Sequence, residues 1–182
     1  MPETTDRPSV SRETSISTGV FVNQKELTSE QMADLKRIYG TAPPVGRYWY
    51  DPRSGLIGVW GFEAAGQLSP GHSFGPLLPD SSRGNTGIFI NGRQTNLAEA
   101  QFSGQILGSL IQGQWWMDSN GDFGIEGSLI PVANMRVAIQ QAQLAGNPAV
   151  YQYRDYINRF TGAVKPGCIW FNIPGGTFIG GC

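Results

Sequence analysis

Charge is scarce in this chain, and histidine scarcer: 13 basic and 14 acidic residues share 182 positions with one histidine, His72. The signs nearly cancel, leaving a formal charge of −1. The sequence therefore has no electrostatic footprint for nucleic acid or for an anionic membrane surface. No apolar run is long enough for a spanning helix, so membrane insertion is not expected. Two cysteines and one histidine supply no zinc spacing, and neither a phosphate loop nor a dinucleotide fingerprint occurs. No cofactor is expected. The opening residues, MPETTDRPSVSRETSIS, have no apolar segment of the kind a secretory signal carries. The compartment stays open, with the cytoplasm slightly favoured.

Glycine is abundant instead, at 25 residues about twice the usual share, which suits a turn-rich β protein. Three aromatic hairpins organise the chain. The first is Gly46–Gly61, GRYWYDPRSGLIGVWG; the second is Gly113–Gly127, GQWWMDSNGDFGIEG; a looser third is Gly167–Gly181. Aromatics favour a pleated, half-buried surface, and Asp-Pro, Ser-Gly and Asn-Gly supply turn geometry. Ahead of the first two stand TGVFVNQKEL and TGIFINGRQT, read as small hairpins around Asn-Gln and Asn-Gly.

Helices are expected between the small and aromatic hairpins. Thr28 with Gln31 and Asn96 with Glu99 have capping-box spacing, and Gly40 is a natural stop. Met32, Leu35 and Ile38 or Tyr39 would face the core, while Gly104 and Gly108 weaken the second helix. Asn134 caps a third helix, stopped by Gly146. Asn147-Pro148 opens a fourth with Tyr153, Tyr156, Ile157 and Phe160 at helical spacing. Thr18 to Thr86 is 68 positions, Asp51 to Asp118 is 67 and Gly55 to Gly121 is 66. The expectation is an α+β fold: after an N-terminal arm, residues 1–17, repeated units of small β-hairpin, short helix and aromatic β-hairpin pack into one domain, 18–182. The units are 18–63, 86–127 and a modified 134–182.

The segment WWMDSNGDFG is similar to the aromatic-turn-glycine hairpins of choline-binding cell-wall repeats. The likeness covers one hairpin. Those repeats recur in tandem about every twenty residues without helices, so no ligand site is carried over.

Candidate chemistry is thin. Asp118, Asn120, Asp122 and Glu126 loosely match an acidic calcium loop, but turn chemistry accounts for the same residues. His72, in SPGHSFGP, has no nucleophile motif beside it and reads as a solvated loop residue. Glu63 and Glu126 follow the aromatic hairpins and, with Asp118, are the acids of an alternative hydrolase. The aromatics carry the leading expectation. Alternation puts Trp49 and Trp116 on a core face, with Trp170 as their counterpart. Tyr48, Tyr50, Trp60 and Trp115 are left to form an exposed binding surface. The expected function is a non-catalytic binding or assembly module for a protein or glycan partner, or for self-association. In the last hairpin, a three-residue turn at Pro174–Gly176 would set Ile173 opposite Thr177 and Cys168 opposite Cys182, within reach of a disulfide.

Overall fold

The computed structural model describes residues 17–108, 110–150 and 152, with the backbone of 170–173 and 176–179. Strands β1 (Val20–Val22) and β2 (Lys25–Glu26) turn at Asn23 and Gln24, both with positive φ (49° and 65°), the conformation that matches the twist of a two-residue hairpin. Helix α1 (Ser29–Tyr39) follows. Thr28 accepts from the Gln31 backbone N–H at 3.1 Å, and the Gln31 side chain accepts from that of Thr28 at 2.9 Å. This is the predicted capping box. Gly40, at φ 79°, ends the helix. Leu35 and Tyr39 are buried, while Ile38 points outward.

Strands β3 (Gly46–Tyr50), β4 (Leu56–Val59) and β5 (Gly66–Gln67) complete a five-stranded sheet in the order β2-β1-β3-β4-β5. The second half of the chain supplies β6 (Ile88–Ile90), β7 (Arg93–Gln94), helix α2 (Leu97–Leu107), β8 (Gly113–Met117), β9 (Asp122–Ile125) and β10 (Ala133–Asn134). Its sheet runs β7-β6-β8-β9-β10. Helix α3 (Met135–Leu144) comes next, capped by Asn134, which accepts from Val137 N–H at 3.1 Å.

The architecture is α+β, and beyond the expected hairpins it contains parallel pairing. β1 pairs with β3, and β6 with β8, in parallel, so both sheets are mixed. A parallel pair needs a crossover, and α1 and α2 provide it. The asparagine of each small hairpin locks this arrangement. Asn23 donates to Tyr50 C=O (2.8 Å) and accepts from Tyr50 N–H (2.9 Å); Asn91 does the same with Met117 (2.7 and 3.0 Å).

Each sheet has its own apolar cluster. Val20, Val22, Leu35, Tyr39, Tyr48, Tyr50, Ile57, Leu68 and Phe74 belong to the first; Ile88, Ile90, Trp115, Met117 and Phe123 to the second, with Ala100, Leu107 and Leu56 against them. Leu56 crosses from the first sheet to the second cluster.

The last hairpin, β11 (Trp170–Ile173) and β12 (Gly176–Ile179), corrects the expected register: Ile173 pairs with Gly176, not Thr177, and Phe171 with Phe178. The connection is thus two residues, and a one-residue slip moves side chains to opposite faces. Cys168, Cys182, the expected arm to residue 16 and the helix of Tyr153–Phe160 lie outside the described residues.

Candidate functional site

The structure corrects the expected aromatic surface. Tyr48, Tyr50 and Trp115 are 3 %, 0 % and 8 % exposed. Alternation along the strand puts them on the face opposite Trp49 and Trp116, and both faces of each hairpin are covered. Tyr48 and Tyr50 lie under α1 and the loop carrying Leu68 and Phe74. Tyr48 donates to Pro44 C=O (2.9 Å), and the Trp115 indole N–H to Ile111 C=O (3.1 Å). Trp115 stacks on Phe123, ring centres 4.9 Å apart. Trp60 alone of the four keeps part of its surface open.

Trp49 and Trp116, at 0 % and 6 %, are buried as expected, but on a polar joint between the sheets that sequence reasoning missed. The Arg93 guanidinium lies 3.9 Å over the Trp49 ring and Arg53 5.0 Å over Trp116. Arg93 is nearly inaccessible. It makes a two-pronged pair with Glu99 (2.7 and 2.9 Å) and donates to Ser82. Glu99 therefore does not close the capping box with Asn96; it turns to Arg93 and accepts from Ala64 N–H (3.0 Å). Asn91 donates to the buried Asp51 carboxylate (2.6 Å), and Asn96 to Glu63 (2.9 Å). An Arg and a Glu six residues apart, across a strand–helix corner, formed the only signal.

The candidate acids are occupied structurally and not assembled. Asp118 accepts from Asn120 N–H (2.8 Å) and Asp122 N–H (3.0 Å), the turn chemistry preferred from sequence. Glu126 sits on the surface 3.6 Å from Arg53. Glu63 is buried against Asn96. Among the described residues no group of three His, Cys, Asp or Glu side chains could hold a metal ion.

His72 is not a solvated loop residue. Its Nε2 lies 2.7 Å from the Tyr39 hydroxyl, its ring stacks on Phe74 (5.0 Å, 11°), and it meets Tyr39 and Tyr50 edge-on. Desolvation lowers its pKa, so the neutral ring is favoured. The box pins the loop of residues 68–74 onto α1.

Two surface features remain. One is a hollow of about 30 Å³ lined by Phe21, Gln24, Arg47, Tyr48 and Trp60. The other is an apolar projection after β9: Ile125, Leu129, Ile130 and Val132 are 50, 95, 74 and 61 % exposed. Backbone and hydroxyl bonds fix it: Ser128 N–H to Ile125 C=O (3.0 Å), Ile130 N–H to Ser128 Oγ (3.1 Å) and Val132 N–H to Phe123 C=O (2.8 Å).

Against known proteins, the chain is similar to extra-large guanine nucleotide-binding protein 1 of Arabidopsis thaliana, at 35 % identity over 115 residues. The match takes in 59 % of this chain and 13 % of that protein. No family model matches, and no solved structure does. No helix among the described residues is long and apolar enough to cross a membrane.

Proposed function

We propose that this chain is a non-catalytic protein-recognition or assembly module, and that its partner is held by the projection at 125–132. The observation that carries this reading is the contrast between two corresponding loops. After β4, Phe62 N–H bonds Val59 C=O and Ala65 N–H bonds Ile57 C=O; after β9, Ser128 and Val132 do the same with Ile125 and Phe123. The first loop is spent on a contact with the other sheet, through Glu63 to Asn96 and Ala64 to Glu99. The second carries Leu129 and Ile130 where the first has those contacts, and they are open. An apolar cluster held rigid in solvent marks a protein contact.

The same correspondences support a chain built from two copies of one unit, 18–63 and 86–127, with a modified third at 134–182, in a single domain. A glycan reading needs exposed aromatic rings to stack on sugars, and three of the four residues assigned to that task are buried. The hydrolase reading needs converging carboxylates, while Glu63, Asp118 and Glu126 each serve a different local bond. A segment that matches 13 % of a longer protein suits a module.

The test is a photo-reactive residue at position 129 in the host cell. A discrete protein adduct, lost in Ile130→Asp and absent with the same probe at Gln143, is expected. An adduct equally frequent at Gln143, or none, removes the reading. A homodimeric adduct assigns the surface to self-association.

A further inference from the structure

We propose that the hollow between Phe21, Gln24, Arg47 and Trp60 binds a carboxylate carried on an apolar or aromatic body. This site is separate from the projection at 125–132 and does not rest on it. Strand pairing sets Phe21 beside Arg47, and Trp60 N–H donates to Arg47 C=O at 2.9 Å, so the three residues form one row across neighbouring strands. Arg47 lies 5.4 Å over the Phe21 ring. Among the described residues its guanidinium has no anionic partner. The acid one strand further along the row, Glu26, is held by Ser17 Oγ (2.6 Å) and Gly19 N–H (3.0 Å). Among the described residues the Trp60 indole N–H and the Gln24 side-chain amide likewise make no hydrogen bond, whereas the indoles of Trp49, Trp115 and Trp116 all donate to carbonyls. The residues lining the hollow thus bring a cation and two unused donors, with aromatic rings beside them. A charged acceptor satisfies such donors most strongly, and Arg takes carboxylates in a two-pronged fit.

Two further observations point the same way. Gln24 holds φ 65°, at a turn position where the second sheet uses Gly92 (φ 84°). The hairpin turn accepts glycine there, so the side-chain amide of Gln24 is not something the turn itself requires. The corresponding row of the second sheet reads Phe89, Gln114 and Glu126: the cation is replaced by an amide and the tryptophan by an acid. The donors are therefore particular to one sheet and not a requirement of the fold. The volume, about 30 Å³, suits two or three heavy atoms. It takes a carboxylate, with the rest of the ligand lying over Trp60 and Phe21.

The carboxylate belongs either to a peptide C-terminus or to an acidic side chain, and the experiment separates them. The full chain, labelled with ¹⁵N, is titrated with N-acetyl-Ala-Phe, with N-acetyl-Glu-Phe-amide and with N-acetyl-Ala-Phe-amide, following the Trp60 indole and Arg47 Nε–H signals. Saturable shifts with either acid but not with the neutral amide are expected, at roughly millimolar affinity for so small a probe. The tighter acid names the source. Arg47→Gln should weaken binding about tenfold, the loss of one charge-assisted contact. Gln24→Gly should weaken it while leaving the denaturation midpoint unchanged or higher, which separates a lost donor from a lost fold. Shifts of equal size with the amide, no shift of Trp60 with any probe, or unaltered binding in Arg47→Gln would overturn the proposal.

Discussion

Tyr48 and Tyr50 became core residues by keeping their hydroxyls bonded at the rim, and that choice is measurable. Burial raises both phenols to about 12, whereas an unfolded tyrosine ionises near 10. Their stability is complete below about pH 10 and is lost as pH rises towards 12, because the unfolded chain releases protons first. His72 works with the opposite sign. Its folded pKa is lowered, so the unfolded chain takes up a proton first as pH falls below about 6.5. The contribution is present above that value and is lost as pH falls through the folded pKa. His72 is the only histidine, so it is the imidazole that acts as pH falls below about 6.5. Urea midpoints should be level from pH 7 to 9.5 and fall on both sides, and His72→Gln should flatten the acid limb above about pH 5. A wild-type midpoint unchanged down to pH 5.5 would show that the aromatic box does not sense the imidazole charge.

Among the elements, the aromatic hairpins depend on a pairing of the largest side chain with none. Trp49 stands opposite Gly58, and Trp116 opposite Gly124. A Cβ built on Gly124 falls 2.6 Å from Trp116 Cε2, and one on Gly58 falls 2.7 Å from the Trp49 ring. The indoles lie flat across the neighbouring strand and need the bare backbone. Gly124→Ala should therefore cost about 1–3 kcal/mol by forced displacement of the ring. Equilibrium unfolding with tryptophan emission would detect both the loss and the altered environment; a neutral substitution would mean the ring has another resting place. Much of this scale was legible in the sequence. Thr28 with Gln31, Asn134, the Asn-Gln and Asn-Gly turns and the aromatic runs are local devices acting within a few residues. Two things were not. The parallel pairing of β1 with β3 depends on how α1 crosses the sheet, and alternation along a strand says which residues share a face without saying how many faces are covered. That omission sent Tyr48, Tyr50 and Trp115 to the wrong side of the surface.

At the scale of the whole molecule, the two sheets are tied by polar groups at a joint with little exposure: the Arg93–Glu99 pair set against Trp49 and Ala64 N–H, Asn91 with Asp51, Asn96 with Glu63, Gln67 with the carbonyl of Ser119 (3.1 Å). Apart from Arg93 with its near neighbours Glu99 and Ser82, the partners are 33 to 52 residues apart, beyond any spacing rule, so most of this joint could not be read from sequence. Its energetics differ from those of the apolar clusters. A buried ion pair adds little over a well-packed apolar replacement, yet removing one partner strands the other charge. Arg93→Met leaves the Glu99 carboxylate with only Ala64 N–H and the helix start around it, and uncovers the Trp49 face. The expected loss is about 3–5 kcal/mol. Glu99→Leu alone strands the guanidinium and should cost a similar amount, while the double substitution should recover a large part of either loss. The cycle, measured by chemical denaturation, isolates the pair because the same two residues are removed singly and together. If the single losses simply add, Arg93 and Glu99 act independently, and the coupling of the two sheets must be sought in Asn91–Asp51 and the Leu56 contact.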